Sequence, residues 1–371
     1  MSAEKKALIV ATVWPFYNFL ANDIRVLQDL GYQVHCATNF HSKIYRDVAV
    51  HGVIKHDICF SRSPFSKNNI QAYRQLKAII KENRFQIIHC HTPVAGILAR
   101  LAARNERRKG TKVLYTSHGY HFHRGGSKKN WLIYYPIEKL CSRMTDIIIT
   151  INEEDYALTK KKFHTKVCYR IPGVGIECAR FELENFDTKE YKRTLGISED
   201  DRVIISVGEV NTNKNHSLII RSIAQFNDPD IHYFIAGNGN QMESNAELAR
   251  SLGIENQVHF LGYRTDIPQL DTMADIFAFP ALREGLGLAP IEAMACGTPV
   301  IGMDTRGVRE YVRDGETGYK FDNSVSSCVQ ALGNCFKLLE KPGLQKTCKL
   351  EAKKYCRENS ERIMCEIYRN I

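Results

Sequence analysis

The chain has 371 residues, 44% of them hydrophobic and 25% charged, a composition that excludes disordered and fibrous classes. No stretch supplies the roughly 18 uninterrupted apolar residues of a membrane-spanning helix, and the length suggests two domains. The net charge of +10 is uneven: residues 1–170 hold 28 Lys+Arg against 12 Asp+Glu, or +16, and the rest 23 against 29, or −6. The basic half expects an anionic partner, whether nucleic acid, phospholipid surface or phosphorylated substrate.

Along the chain, short β-branched runs alternate with amphipathic stretches. The N-terminus places an apolar run behind two lysines, as a signal peptide does, but Pro15 and Asn18 interrupt it and no small-residue cleavage site follows. It reads as a buried strand over 7–13, and the protein is expected in the cytoplasm. Further strands are expected over 32–38, 85–90, 112–117 and 146–151. A second set follows over 202–208, 231–237, 257–262, 275–280 and 298–303. Between them, "IQAYRQLKAIIKENR" sets Ile70, Tyr73, Leu76, Ile79 and Ile80 on one helical stripe. Strand–helix alternation with near-continuous apolar strands implies parallel sheets covered on both faces. Two such sets predict an α/β chain of two Rossmann-like domains. The domains are expected at 1–170 and 171–352, with 353–371 as a terminal helix returning to the first. The boundary falls near "RIPGVGIE", where Pro and Gly break the pattern.

Twelve cysteines lie scattered without a CxxC pair, which reads as reduced core thiols rather than a disulfide framework. "HCH" at 89–91 invites a metal reading. Adjacent strand residues point to opposite faces, and no second cluster with ligand spacing follows, so no metal is expected. "DPD" at 228–230 has the form of a metal-binding DxD but sits in an expected turn before a strand.

In open parallel sheets, ligands bind beyond the carboxyl ends of the strands. The stretch "EGLGLAPIEAMACGTPV" (284–300) stands at such an end. It reads as strand, glycine-containing loop and helix N-terminus, with Pro290 tolerated in the first turn. Backbone N–H groups and the helix dipole suit phosphate there, and Gly285 and Gly287 permit close approach. Carboxylates accept from diols, so Glu284 and Glu292 are matched to the two ends of a nucleotide-sugar.

The E-x7-E spacing, with "AMACGTPVIGMDTRGVREYVRDGETGYKF" after it and "SVGEVNTNKNHSLIIRSIA" before it, resembles the retaining family-4 glycosyltransferases of the GT-B fold. "SRSPFSKNNIQAYRQLKAIIKENRFQIIHCHTPVAGILARLAAR" and "KNWLIYYPIEKLCSRMTDIIITINEEDY" resemble their bacterial capsule and exopolysaccharide branch. The likeness spans nearly the whole chain. It implies parallel sheets facing across a cleft. It also implies transfer of a hexose or N-acetylhexosamine, with retention, from a nucleotide-diphosphate sugar, most naturally UDP-linked. The implied acceptor is a polyprenyl-diphosphate-linked or other saccharide at the inner face of the membrane, and no cofactor or metal is implied.

Residue by residue, the resemblance gives Glu292 the ribose hydroxyls and Glu284 the donor sugar. Gly285, Leu286, Gly287 and Leu288 offer backbone groups. Lys214 neutralises the leaving diphosphate. Gly208 opens that corner, and Gly262 with Arg264 lies in the segment that reads the base. Glu209 stands where the family usually has arginine, so another base such as Arg264 or Arg124 supplies charge, or one lysine suffices. His118 is matched to the family's histidine and would orient acceptor or donor phosphate. The family's glycine-rich acceptor loop is replaced by "TVWPFYNF". There Trp14, Phe16 and Tyr17 either stack on sugar or membrane or pack in the core. Arg124 and Trp131 belong to a basic, aromatic stretch (124–144) that suits either a membrane surface or a buried helix with a solvated edge. Two alternatives stand beside the transferase: a nucleotide-sugar epimerase of similar shape, and a non-catalytic partner in a polysaccharide assembly complex. No nucleic-acid module pattern is present.

Overall fold

The computed structural model describes residues 4–41 and 50–371. The chain divides into two compact units, one of residues 1–174 with 357–371, the other of residues 175–356. Each is a twisted parallel sheet covered by helices.

The first unit contains β1 (Lys6–Val13), β2 (Gln33–Asn39), β3 (Ile54–Asp57), β4 (Ile87–His91), β5 (Lys112–Ser117), β6 (Ile147–Thr150) and β7 (Val167–Arg170), in the order β3-β2-β1-β4-β5-β6-β7. All pairings are parallel. The central strands are buried along nearly their whole length, which is why apolar runs marked them. The helix over Asn68–Asn83 buries Ala72, Leu76 and Ile80 against this sheet and stops where Arg84 turns left-handed (φ 52°). Ile70, expected on its buried stripe, is exposed instead; in that first turn Asn69 takes the buried place.

The second unit contains β8 (Arg202–Val207), β9 (Ile231–Ala236), β10 (Val258–Gly262), β11 (Ile276–Phe279), β12 (Val300–Met303) and β13 (Gly318–Phe321), ordered β10-β9-β8-β11-β12-β13. Its core joins Ile204, Ile219, Ile220, Tyr233, Ile235, Ile276 and Ile301. In both sheets the order reverses beside the first strand, creating the crevice where doubly wound sheets bind ligands.

The segments joining the units run side by side. Ile176 N–H donates to the Tyr355 carbonyl at 2.9 Å, and Cys178 and Cys356 form a disulfide with Cα atoms 5.6 Å apart. This pair corrects the expectation that all twelve cysteines are reduced. Residues 178 apart in sequence become neighbours only through the fold, so spacing carried no sign of it. The other ten are free thiols, most of them buried. The last helix (Arg357–Arg369) packs on the first unit, where Glu361 meets Arg25 and Tyr368 is buried. Among the described residues no helix is long and apolar enough to cross a membrane.

Candidate active site

In the second unit, the carboxyl ends of β8, β9 and β11 bring three loops together. Gly208 N–H bonds the Ala236 carbonyl (2.9 Å) and Val210 N–H the Asn238 carbonyl (3.0 Å), so the loops after β8 and β9 are laced by backbone. A Cβ on Gly237 would stand 1.8 Å from the Gly208 oxygen, and one on Gly239 2.1 Å from that of Val210. Only glycine permits this approach. The lacing fixes the turn that carries Lys214, whose N–H bonds the Asn211 carbonyl (3.1 Å) and side chain (3.0 Å).

The Lys214 ammonium sits 2.9 Å from a Glu284 carboxylate oxygen and 4.5 Å from the centre of the Phe279 ring. The loop from Glu284 ends at Gly287 (φ +85°), which begins the helix over Leu288–Cys296. A Cβ on Gly287 would lie 2.9 Å from the Phe279 ring and 3.2 Å from Glu284 Cγ. No side chain caps this helix, so its N-terminal dipole opens onto the loop. Leu286 is buried and its carbonyl accepts from Tyr311 Oη at 3.1 Å. Glu292 lies one turn in; burial pushes its carboxyl up, while Arg180 pulls it back down. Near it Asp271 is fully buried, neither carboxyl oxygen has a hydrogen-bond partner among the described residues, and burial with the neighbouring Glu292 drives it well above the ordinary range.

Glu209 is exposed at the loop's edge. Arg264, one candidate for compensating charge, forms a tight ion pair with Asp266 and reaches Tyr191 Oη at 3.3 Å. Sequence reasoning missed a closer cation. Arg306 is buried and its Nε reaches the Glu284 carbonyl at 3.4 Å. It follows β12 in "DTRG", a strand end, and that position was the available signal. Gly262 ends β10 with φ +65° and bridges Gly237. "DPD" is a turn: Arg202 pairs with Asp228, whose carboxylate caps the Asp230 N–H at 3.1 Å.

In the first unit, His118 follows β5. Its Nε2 lies 3.2 Å from His91 Nδ1, and the Phe16 ring meets it edge-on at 4.9 Å. A cavity of about 210 Å³ opens beside it, lined by Phe16, Thr92, Ser117, His118, Tyr134 and Glu138. Glu138 pairs at 2.8 Å with Arg100, which is wholly buried against the Tyr115 ring. Burial holds His118 near 4 and His89 near 3, so both rings are neutral at physiological pH.

His89 and His91 stand two residues apart and share a face, with ring centres 4.1 Å apart. Adjacent residues of the tripeptide do face opposite ways, but that sets only Cys90 apart and leaves the two histidines together. For Tyr17 the structure decides between the two alternatives in favour of core packing, against an acceptor or membrane contact. Tyr17 is fully buried, and its hydroxyl donates to the Ile9 carbonyl (2.8 Å) and the Ala37 carbonyl (3.1 Å), so it presents no face to a ligand or membrane. Trp14 stacks beside Phe40 under the Lys55 ammonium. Trp131 donates to the His123 carbonyl at 3.1 Å and packs on Phe122. On the same helix (Lys128–Ser142), Leu132 and Leu140 are exposed instead, as are Lys128 and Lys129 in its first turn and Arg124 before it.

The family model "Glycosyl transferases group 1" matches residues 187–355, and "Glycosyl transferase 4-like" matches residues 6–152. A protein of Bacillus subtilis (strain 168) that carries the name glycosyltransferase EpsD is 41% identical over 324 residues, covering 85% of this chain and 83% of its own. The Escherichia coli UDP-Gal:alpha-D-GlcNAc-diphosphoundecaprenol alpha-1,3-galactosyltransferase is 28% identical over 281 residues, 71% of each chain. The crystal structure of Anabaena Alr3699/HepE in complex with UDP has the same fold, with a TM-score of 0.78 at 18% identity over 99% of this chain and 100% of that one.

Proposed function

The chain belongs to the glycosyltransferases of the GT-B fold, and from that premise we propose that it moves a hexose or N-acetylhexosamine from a UDP-sugar to a lipid-linked or saccharide acceptor in surface-polysaccharide synthesis. The observation that carries this reading is the Lys214–Glu284 pair, set at 2.9 Å over a glycine loop that opens a helix N-terminus, with Glu292 one turn behind. In this reading Glu292 accepts the ribose hydroxyls and Glu284 those of the donor sugar. Lys214 and the helix N-terminus stabilise charge on the leaving diphosphate. Gly208, Gly262 and the backbone of Gly285 to Leu288 let the nucleotide approach closely. Arg306 joins Lys214 as the cation that offsets Glu209.

We further propose retention of configuration without a metal. The bond between the sugar's anomeric carbon and the diphosphate breaks as the acceptor oxygen bonds to the same face. The acceptor's proton passes to a diphosphate oxygen. Protein cations supply the stabilisation a metal would otherwise give. His118, neutral, orients a reacting hydroxyl or phosphate by hydrogen bonding. The printed acceptor of the Escherichia coli relative supports a polyprenyl-linked acceptor here. Exposed Leu132 and Leu140 on a helix that starts with exposed Lys128 and Lys129 support peripheral contact with an anionic membrane.

Calorimetry with UDP, GDP and ADP tests the donor assignment. The reading expects UDP to bind and Glu292→Ala to weaken it at least tenfold. Equal binding of all three, or none, contradicts it.

A further inference from the structure

Asp23, in the helix over Ala21–Asp29, lies against the two histidines of β4. A carboxylate oxygen of Asp23 and one ring nitrogen each of His89 and His91 lie within 4.8 Å of one another. Both nitrogens of His89 are taken: Nδ1 by Tyr368 Oη at 2.6 Å and Nε2 by Thr116 Oγ1 at 2.7 Å. His91 is fully buried, its Nδ1 faces His118 Nε2 at 3.2 Å, and its Nε2 has no hydrogen-bond partner among the described residues. A buried, unpaired imidazole nitrogen is costly; the Asp23 carboxylate lies in the same cluster, unbonded to His91 in this structure, and a small side-chain shift brings such an acceptor into range.

We propose that Asp23 acts through His91 as a positioning residue that fixes the tautomer of His118. A carboxylate only accepts, so the His91 proton must sit on Nε2 to meet it. The lone pair of His91 then lies on Nδ1. That lone pair accepts from His118, so the His118 proton sits on Nε2 and its Nδ1 is left as an acceptor. A hydrogen bond at one ring nitrogen sets the state of the other, and here the rule applies twice in series. Burial lifts Asp23 to about 7, so the carboxylate form dominates above that pH. The groups facing it are His89 and His91 from β4 and Tyr368 from the C-terminal helix. Burial keeps His91 and His118 neutral, which tautomer selection requires. A metal bound by Asp23, His89 and His91 is the rival use of the cluster. It would have to displace a hydroxyl from His89.

The inference that His118 thereby becomes competent rests on the proposed transferase reading; the tautomer assignment does not. The test is nitrogen NMR of the full-length protein labelled with ¹⁵N-histidine, at about pH 8, with His118 assigned through His118→Gln. Wild type and Asp23→Asn, whose amide oxygen still accepts, are expected to hold His118 as the Nε2–H tautomer. Asp23→Leu is expected to mix tautomers or reverse them, with kcat about tenfold lower and KM for the nucleotide-sugar unchanged. If Asp23→Leu fails to fold, His91→Gln is expected to release the tautomer in the same way. An Nδ1–H tautomer in wild type, or an unchanged one in Asp23→Leu, overturns the proposal. So does tight binding of one Zn²⁺ that Asp23→Asn abolishes. A tautomer that shifts while turnover holds leaves the relay standing and removes His118 from the reaction.

Discussion

Lys214 Nζ lies 2.9 Å from Glu284 Oε2, and the two residues come from loops 70 positions apart. Both side chains are partly exposed, so the pair contributes about 0–1 kcal/mol to stability. In the proposed reaction its geometry matters more, because it holds a cation and a carboxylate acceptor at the mouth of the same helix N-terminus. Lys214→Ala is expected to lower kcat by about 10²–10³-fold, the cost of removing one preorganised charge donor. The melting temperature should barely move. Turnover and thermal melts of the same preparation check this.

Gly287→Ala should separate loop shape from global stability. The left-handed backbone alone costs about 1–2 kcal/mol, and the new methyl meets the Phe279 ring. Phe279 also underlies Lys214, so the damage is carried to the ion pair. We expect a modest loss in urea midpoint and a far larger loss in nucleotide affinity, read by denaturation and calorimetry.

Asp23 gives the first unit a pH signature. Its carboxyl titrates at about 7 in the fold against about 3.9 in an unfolded chain. A raised folded-state pKa favours the fold at low pH, and that advantage is lost as pH rises through 7. Asp23→Asn should therefore melt close to wild type near pH 4 and above it at pH 8. A constant difference across that range contradicts the assignment.

The exposed apolar edge of the helix over Lys128–Ser142 makes a separate prediction. Leu132→Ser with Leu140→Ser should reduce co-sedimentation with vesicles rich in anionic lipid by about tenfold or more. Hydrocarbon side chains contribute most of such interfacial binding, and lysines add to it. Soluble nucleotide binding should be unchanged. Trp131, which packs inward on Phe122, should affect stability rather than vesicle binding.

The legibility of the fold follows burial. The ten strands expected from apolar runs all form: nine are interior strands, which a doubly covered sheet makes apolar on both faces, and the tenth, β10, is an edge strand that keeps an apolar run. The three that no run announced, β3, β7 and β13, are edge strands. β3 and β7 are exposed or half-buried along their length, and β13 contains Tyr319 and Lys320 between its buried ends. An edge needs only one apolar neighbour, so its sequence looks like a loop. The loop from Glu284 was legible as a strand end opening a helix, because glycines and a proline mark such a start. The placements of Asp271, Arg306 and Asp23 were not legible. Each is a single polar residue whose neighbours in the fold lie elsewhere in the chain, and only the packed structure brings them together.

The most direct test of the account is nucleotide release from a panel of UDP-, GDP- and ADP-sugars, with and without a bacterial membrane-lipid extract, for wild type and Glu292→Ala. The account predicts release from a UDP-sugar that rises with the lipid extract and falls by at least two orders of magnitude in the variant. Donor turnover without release, insensitive to lipid, would identify an epimerase. No turnover and no nucleotide binding would contradict the enzyme reading and leave a scaffold.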